Sequence, residues 1–286
     1  MQAPRARKRF GQNFLKDQSI ISRIASSIAP KSCDHIVEIG PGYGALTEAL
    51  IDQIGRLDVI ELDRDLVPYL LAAFSTREHF HLHQGDALRF DYSSLQGLAP
   101  SQSSEKKVNN LEQSCGQKSS FRVVGNLPYN ISTPLLFHLL DYRKHIQDMH
   151  FMLQLEVVKR LTAVPDDKLY GRLSVMIQYF CHTALLFEVP PESFDPPPKV
   201  QSAIVKIEPR QTISTEVVNY QYFENLVRQA FSMRRKTLRN ALKPFCDMQI
   251  LDATFDTLSL AANLRAENLS VDQYVALANQ LYKVSH

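Results

Sequence analysis

Two short stretches of this 286-residue chain carry residue types suited to chemistry. The first is EIGPGYGAL (38–46), where a buried-strand pattern, HIVEIG, gives way to a helical one. Gly40, Gly42 and Gly44 tolerate positive φ and let the backbone come close to a ligand. Glu61 closes the next apolar run, 21 residues after Gly40. An acid at that place accepts hydrogen bonds from a ribose diol. Two cofactors fit. As G-x-G-x-x-A the loop matches a dinucleotide fingerprint; as E-x-G-x-G-x-G it matches a loop for S-adenosylmethionine (SAM). Pro41 leans toward SAM, which has no phosphate, because it removes one N–H from a loop that would otherwise cradle a pyrophosphate. Asp86, in QGDAL, stands where a carboxylate accepts a hydrogen bond from a cofactor's adenine, or where it merely caps a helix.

The second stretch is GNLPYN (125–130), at the end of the apolar run FRVV. The exocyclic amine of adenine is a poor nucleophile, since its lone pair is delocalised into the ring. Hydrogen-bond acceptors aimed at that amine pull it toward tetrahedral geometry and free the lone pair. The side-chain oxygen of Asn126 is one acceptor. The carbonyl of Leu127 is a second, held in place by Pro128. The Tyr129 ring offers a face on which a base stacks. The rate gain then comes from positioning and preorganised dipoles. Taken alone, N-L-P-Y also fits an ordinary strand-to-helix turn; downstream of a SAM-type loop the chemical reading is the better one.

The elements that must position these residues alternate. Helical spacing over Asp17–Ala29 precedes strands at 35–40, 57–63, 79–87, 121–126 and 149–154, with helices at Ala45–Ile54, Leu66–Phe74 and Pro134–Leu140 between them. This order predicts an α/β fold with a parallel sheet covered on both faces, whose ligand sits at the carboxyl ends of the strands. Residues 93–120, rich in Ser, Gln, Asn and Lys and without a sustained apolar period, read as a long, mobile surface insert. TALLFEVP (183–190) and QSAIVKIEP (201–209) are strand-like, and SFDPPPKV (193–200) is a rigid turn. Beyond Pro209 the chain reads as helical, with Tyr222–Ala241 its clearest element. A boundary near 209 divides a catalytic domain, 1–209, from a helical one, 210–286.

Composition sets the outer limits. A hydrophobic fraction of 44% and a charged fraction of 22% are those of a soluble globular protein. No apolar run is long enough for a membrane span, and no secretory h-region stands near the start. The short basic opening also fits a transit peptide, though it runs directly into functional residues. Cys33, Cys115, Cys181 and Cys246 form no C-x-x-C pair, and no His cluster completes a zinc set; reduced thiols in a cytoplasm and no metal site are expected. Net charge is only +2, but basic residues gather in two places. Arg5, Arg7, Lys8, Arg9 and Lys16 lie against a single acid, Asp17. Arg228, Arg234, Arg235, Lys236, Arg239 and Lys243 lie in a segment with none. Arg228, Arg235, Arg239 and Lys243, at spacings of 7, 4 and 4, share one helical face, backed by Phe231, Leu238 and Leu242, as a phosphate-tracking stripe or a solvated surface.

The ordered motifs EIGPGYG, IELD, GDAL, GNLPYN, MLQLEVVKR, YGRLSV, SFDPPPKV and FSMRRKTLRN, with RKRFGQNFL before them, resemble the ribosomal RNA adenine N6-dimethyltransferases. Within that family the chain resembles the bacterial small-subunit enzymes of the kasugamycin-sensitivity type. The likeness covers nearly the whole chain except the 93–120 insert and the last forty or so residues. It implies a class I SAM-dependent methyltransferase fold, Rossmann-like with a mostly parallel seven-stranded sheet, and a small all-α C-terminal domain. It implies dimethylation of two adjacent adenosines in a hairpin loop near the 3′ end of 16S rRNA, within the small subunit or its precursor, in a cytoplasmic monomer. By the same resemblance Asn13, Leu15, Gly40 and Gly42 line the SAM pocket, with Gly40 at the methionine part. Glu61 takes the ribose, Asp86 the adenine, and Asn126 the edge shared with the target base. Phe194 stacks on the other face of that base from Tyr129, unless it is simply core. Asn at position 126 is compatible with a second methylation, since a neutral acceptor still holds the remaining N–H. The insert departs from the family's pattern and reads as passive. Rival readings are an NAD-dependent oxidoreductase, a ribosome-assembly factor for which methylation is secondary, and a DNA adenine methyltransferase.

Overall fold

The computed structural model describes residues 12–95 and 120–285. The basic residues Arg5, Arg7, Lys8 and Arg9 and most of the expected insert, 96–119, lie outside them. Seven strands form one sheet: β2 (His35–Ile39), β3 (Arg56–Glu61), β4 (Phe80–Gln84), β5 (Phe121–Asn126), β6 (Ile146–Gln154), β7 (Cys181–Val189) and β9 (Ser202–Pro209). Their order is β4-β3-β2-β5-β6-β9-β7. The pairings among β4, β3, β2, β5 and β6 are parallel, and β9 runs antiparallel to β6. All five residues of β2 are buried, as a strand covered on both faces requires. The chain lays β3 on one side of β2 and β5 on the other, so the sheet's order reverses there. Such a switch point opens a crevice beyond the strand ends, where HIVEI and FRVVGN both terminate. The expected strands therefore lie where the apolar runs placed them, within a residue or two at most ends.

A short pair, β1 (Phe14–Leu15) and β8 (Phe194–Asp195), is antiparallel, with Leu15 opposite Phe194. Helix α1 (Gln18–Ile28) starts on Asp17, whose carboxylate accepts from the backbone N–H groups of Ser19 and Ile20. It ends at Ala29, in the left-handed region at φ 49°. Its last carbonyls need partners, and Arg122 of β5 supplies them. That guanidinium, almost wholly buried, donates to the carbonyls of Ile28 (2.6 Å) and Ala29 (3.4 Å). It also pairs with Asp34 (2.8 Å) and, through two nitrogens, with Asp148 of β6 (2.9 and 3.0 Å). Two buried carboxylates and a helix end thus share one cation, which locks α1 onto the face of β5 and β6.

By its contacts the chain divides into two compact units. The first runs to Val158 and resumes over Ala184–Pro209; the second takes Lys159–Thr183 and continues from Arg210. The expected cut at 209 places Lys159–Thr183 in the catalytic domain, whereas its contacts group it with the helical tail. In the second unit, α6 (Arg172–Phe180), α7 (Tyr220–Ala230), α8 (Leu238–Leu242), α9 (Met248–Thr257) and α10 (Val271–Ser285) enclose Phe223, Leu226, Leu238, Leu251, Tyr274 and Leu281. The continuous helix expected over Tyr222–Ala241 is broken by a tight turn at Phe231–Met233. Thr237, with extended backbone, restarts the chain by capping α8 through Asn240 N–H (3.4 Å). Arg228, Arg235, Arg239 and Lys243 therefore do not share one helical face. Cys181 and Cys246 stand outside any disulfide, whereas Cys33 is disulfide-bonded, contrary to the expectation of reduced cysteines. No helix among the described residues is long and apolar enough to cross a membrane.

Candidate active site

A pocket wholly within the first unit opens at the carboxyl ends of β2, β3, β4 and β5. Its lining contains Asn13, Leu15, Gly40, Gly42, Glu61, Asp86, Asn126, Leu127, Pro128 and Tyr129. It does not contain Phe194. Gly42 has φ +61°, and a Cβ there would lie 2.8 Å from the Phe14 ring. The loop thus needs glycine both for its turn and to let β1 lie across it. Gly125 meets a different limit: a Cβ would stand 2.5 Å from the Ile39 carbonyl oxygen. A glycine inside a strand pattern is the signature of such a close approach, and it draws the end of β5 against β2 under the pocket.

The segment Gln12–Leu15 crosses the pocket and is tied at both sides. Gln12 Nε2 donates to Asp63 Oδ2 at 3.1 Å, just past the β3 acid. Asn126 Nδ2 donates to the Asn13 carbonyl at 2.8 Å. A carbonyl only accepts, so the amide nitrogen of Asn126 must face it. The amide oxygen is thereby turned the other way, available as an acceptor. Behind it, Leu127 N–H donates to the Met152 carbonyl (3.2 Å), and the Pro128 carbonyl accepts from Ile131 (3.1 Å). Tyr129 is partly buried, with its hydroxyl 2.8 Å from Ser202 Oγ, so the ring is held at its far end and keeps a face toward the pocket.

Two buried acids, on β2 and β3, line the pocket. Glu61 Oε1 accepts from Asp63 N–H at 2.7 Å. Burial pushes its carboxyl up, against the pull of the backbone donors of Asp63, Gly42 and Leu62. Glu38, on β2, accepts from the Thr47 hydroxyl at 2.6 Å. Burial pushes it up to about 7, opposed by that hydroxyl and reinforced by Glu61. Asp86 lines the pocket, and its Oδ1 accepts from Leu88 N–H (3.0 Å) in a local turn that no helix follows, so it is not the helix cap that the sequence also allowed. Gln12, Asp63, Glu38 and Gly125 were not singled out as site residues from sequence. Gly125 alone carried a readable signal; Gln12 and Asp63 meet across 51 residues of chain.

Phe194 does not stack at the pocket. It is 1% exposed, its ring packs in the core cluster against which Phe14 and Leu15 also rest, and its backbone pairs with Leu15. Its place in the structure is to hold the crossing segment. The basic residues of the second unit also divide. Arg239 makes a two-point bridge to Asp252 (2.6 and 2.7 Å). Arg234 donates to the carbonyls of Lys168 (2.7 Å) and Tyr170 (3.2 Å). Both are engaged within the fold. Arg228 is exposed and donates to Asn225 (2.6 Å), and Arg235, Lys236 and Lys243 are exposed. Among the described residues no His, Cys, Asp and Glu cluster is arranged to hold a metal ion.

Comparison with known proteins identifies the family. Residues 3–283 match the family model described as Ribosomal RNA adenine dimethylase. Ribosomal RNA small subunit methyltransferase A of Saccharophagus degradans is 51% identical over 282 residues, 99% of this chain and 97% of that protein. The protein of the same name from Pseudomonas aeruginosa is 50% identical over 277 residues, 97% of this chain and 95% of that one. Among solved structures, a dimethyladenosine transferase from Plasmodium falciparum superposes with a TM-score of 0.75 at 25% identity, covering 95% of this chain and 98% of its own. The 23S rRNA methyltransferase ErmE shares the fold, with a TM-score of 0.68 at 22% identity and coverage of 94% and 100%.

Glu38 makes stability depend on pH. Its carboxyl titrates near 4.5 unfolded and near 7 folded, so the folded state holds its proton longer. The contribution is fully present below about 4.5 and is lost as pH rises through about 7. Glu38→Gln keeps an acceptor for Thr47 and removes the titration. Urea midpoints of native chain and variant, measured across this range, should differ by an amount that falls with rising pH and then levels off. A difference constant with pH would show that Glu38 does not titrate this way.

Proposed function

The chain belongs to the ribosomal RNA adenine dimethylase family, and from that premise we propose that the pocket methylates adenine N6 through the amide of Asn126. The fold is the class I SAM-dependent methyltransferase fold with a C-terminal helical region, and the enzyme is a SAM-dependent adenine dimethyltransferase of 16S rRNA. The finer target is a pair of adjacent adenosines in a hairpin loop near the 3′ end, reached in the small subunit or its precursor, with a role in subunit biogenesis. The protein acts as a cytoplasmic monomer.

The observation that carries the mechanism is the Asn13–Asn126 hydrogen bond at 2.8 Å, which aims the amide oxygen. The pocket residues fit SAM: glycines open the loop, Glu61 stands at the end of β3, and Asp86 follows β4. When bound, SAM supplies a methyl group on a positively charged sulfur. Glu61 takes the ribose hydroxyls and Asp86 the adenine amine. Gly40, Gly42, Asn13 and Leu15 enclose the remainder. Asn126 Oδ1 and the Leu127 carbonyl accept the two N–H groups of the target amine and draw it out of conjugation. Tyr129 supports one face of the base, braced by Ser202. The amine would attack in line without a base at the outset: the N–C bond would form as the C–S bond of the sulfonium breaks, the thioether S-adenosylhomocysteine would leave, and the methylated amine would then release its proton to water. For the second methyl the neutral amide still accepts the one N–H that remains. Extrusion of the adenine from its stack is the usual way to expose such an amine.

Arg228, Arg235, Lys236 and Lys243 are the RNA-phosphate contacts of the second unit, and Arg234 and Arg239 support the surface that presents them.

The test of function is methyl transfer from labelled SAM to unmethylated small ribosomal subunits, with large subunits and duplex DNA as controls. Label confined to small subunits is expected. Asn126→Ala should still bind SAM yet lose transfer by about 100-fold, the scale of losing a preorganised polar contact. SAM binding without label in any RNA would move the assembly-factor role to the front. Separately, Arg235→Glu with Lys236→Glu should weaken binding to small-subunit RNA and flatten its salt dependence, by about one unit of log–log slope per lost phosphate contact. An unchanged slope would remove these residues from the interface.

A further inference from the structure

We infer that Lys199 is a contact for the RNA phosphate backbone at the mouth of the pocket, where it holds the nucleotide whose adenine enters. The inference rests on the rRNA methylation reading above. Lys199 lies in DPPPKV (195–200), a segment with no part in the site so far, since Phe194 before it fills the core rather than facing a base. Pairing places this segment. β9 begins at Ser202, which pairs with Gln154, the last residue of β6. β6 runs parallel to β5, so Gln154 lies at the end of the sheet where the pocket opens. The turn before β9 therefore stands at the rim of the pocket.

The turn is restrained at both ends and in the middle. Ser202 Oγ meets the Tyr129 hydroxyl at 2.8 Å, and the Gln201 carbonyl accepts from Leu155 N–H at 2.9 Å. Three residues separate Ser202 from Lys199, at most about 11 Å of chain, so Lys199 stands beside the ring that supports the base. At the other end the Ser193 carbonyl accepts from the N–H groups of Lys16 (2.9 Å) and Asp17 (3.3 Å), and Phe194 pairs with Leu15. Pro196, Pro197 and Pro198 fix φ between these anchors. Little backbone freedom is then lost when Lys199 is engaged. Its side chain is exposed and makes no hydrogen bond or ion pair among the described residues. The neighbouring acid, Asp195, is directed elsewhere: it shares a face of the short sheet with Phe14, whose ring lies 4.0 Å from that of Tyr43 in the glycine loop. A nucleotide carries its base at one end and its phosphate at the other. With the amine at Asn126 and the ring on Tyr129, sugar and phosphate remain at the mouth, beside this turn. An ammonium takes a phosphate as a point charge, without a fixed fork. Such contacts set the position of a strand without reading its sequence, so Lys199 places the nucleotide and Asn126 recognises its base.

The test measures methyl transfer to unmethylated small ribosomal subunits over a range of subunit and salt concentrations, with SAM affinity titrated in parallel. It compares the full native chain with Lys199→Gln, Lys199→Arg and Lys31→Gln, all checked for cooperative melting. Lys31 is exposed and precedes β2, at the opposite end of the sheet, so its variant controls for the loss of one charge. Lys199→Gln should raise the KM for subunits about ten-fold with SAM affinity unchanged. It should also reduce the log–log salt slope of kcat/KM by about one unit. Lys199→Arg should stay close to native in both, as should Lys31→Gln. A folded Lys199→Gln with native KM and salt slope, an equal loss in Lys31→Gln, or a loss traced to weaker SAM binding would each overturn the inference. A native chain that labels no RNA would overturn the methylation reading beneath it.

Discussion

In the proposed mechanism, one hydrogen bond decides what the active site can do. The amide of Asn126 has two chemically opposite ends, and only the contact with the Asn13 carbonyl determines which faces the pocket. Were the amide reversed, a donor would meet an amine that itself donates, and the site would repel its substrate. The contact joins residues 113 apart in sequence, so it exists only when the N-terminal segment is seated. Seating that segment is therefore part of orienting the Asn126 amide.

The rest of the first unit can be understood as support for that contact. The pairing of Leu15 with Phe194 and the bond from Gln12 to Asp63 hold the segment from both sides. Gly42 leaves room for Phe14 beneath it, and Gly125 lets the Asn126 strand end close against β2. Deeper in the sheet, Arg122 fastens β5 and β6 to the end of α1, the helix that follows the crossing segment directly. These devices all restrict position, which is where a methyl transfer without a strong base must find its rate.

The strands and the polar groups at their ends were legible because each is encoded locally. An apolar run marks the strand, and residues at or just past its end line the pocket, as Gly40, Glu61, Asp86 and Asn126 do. Motif resemblance added the roles. What could not be read depends on partners distant in sequence. Phe194 offers the same ring whether it stacks on a base or fills a core, and only its pairing with Leu15 decides. Arg239 and Arg234 look like phosphate contacts until Asp252 and the carbonyls of Lys168 and Tyr170 are found beside them. The broken helix had a local cue in Thr237, a good N-cap, but the apolar spacing on both sides overrode it.

The most direct measurement of the central claim is the single-turnover methyl-transfer rate of Asn126→Asp, with SAM binding followed in parallel. A carboxylate has no donor for the Asn13 carbonyl and must turn away from an oxygen that the native amide meets at 2.8 Å. The expected result is SAM affinity close to native with transfer slowed by about 100-fold, the effect of misplacing a catalytic contact by about 1 Å. Transfer by the aspartate variant as fast as by the native chain would contradict the claim, because it would show that the Asn13 contact does not set the catalytic geometry.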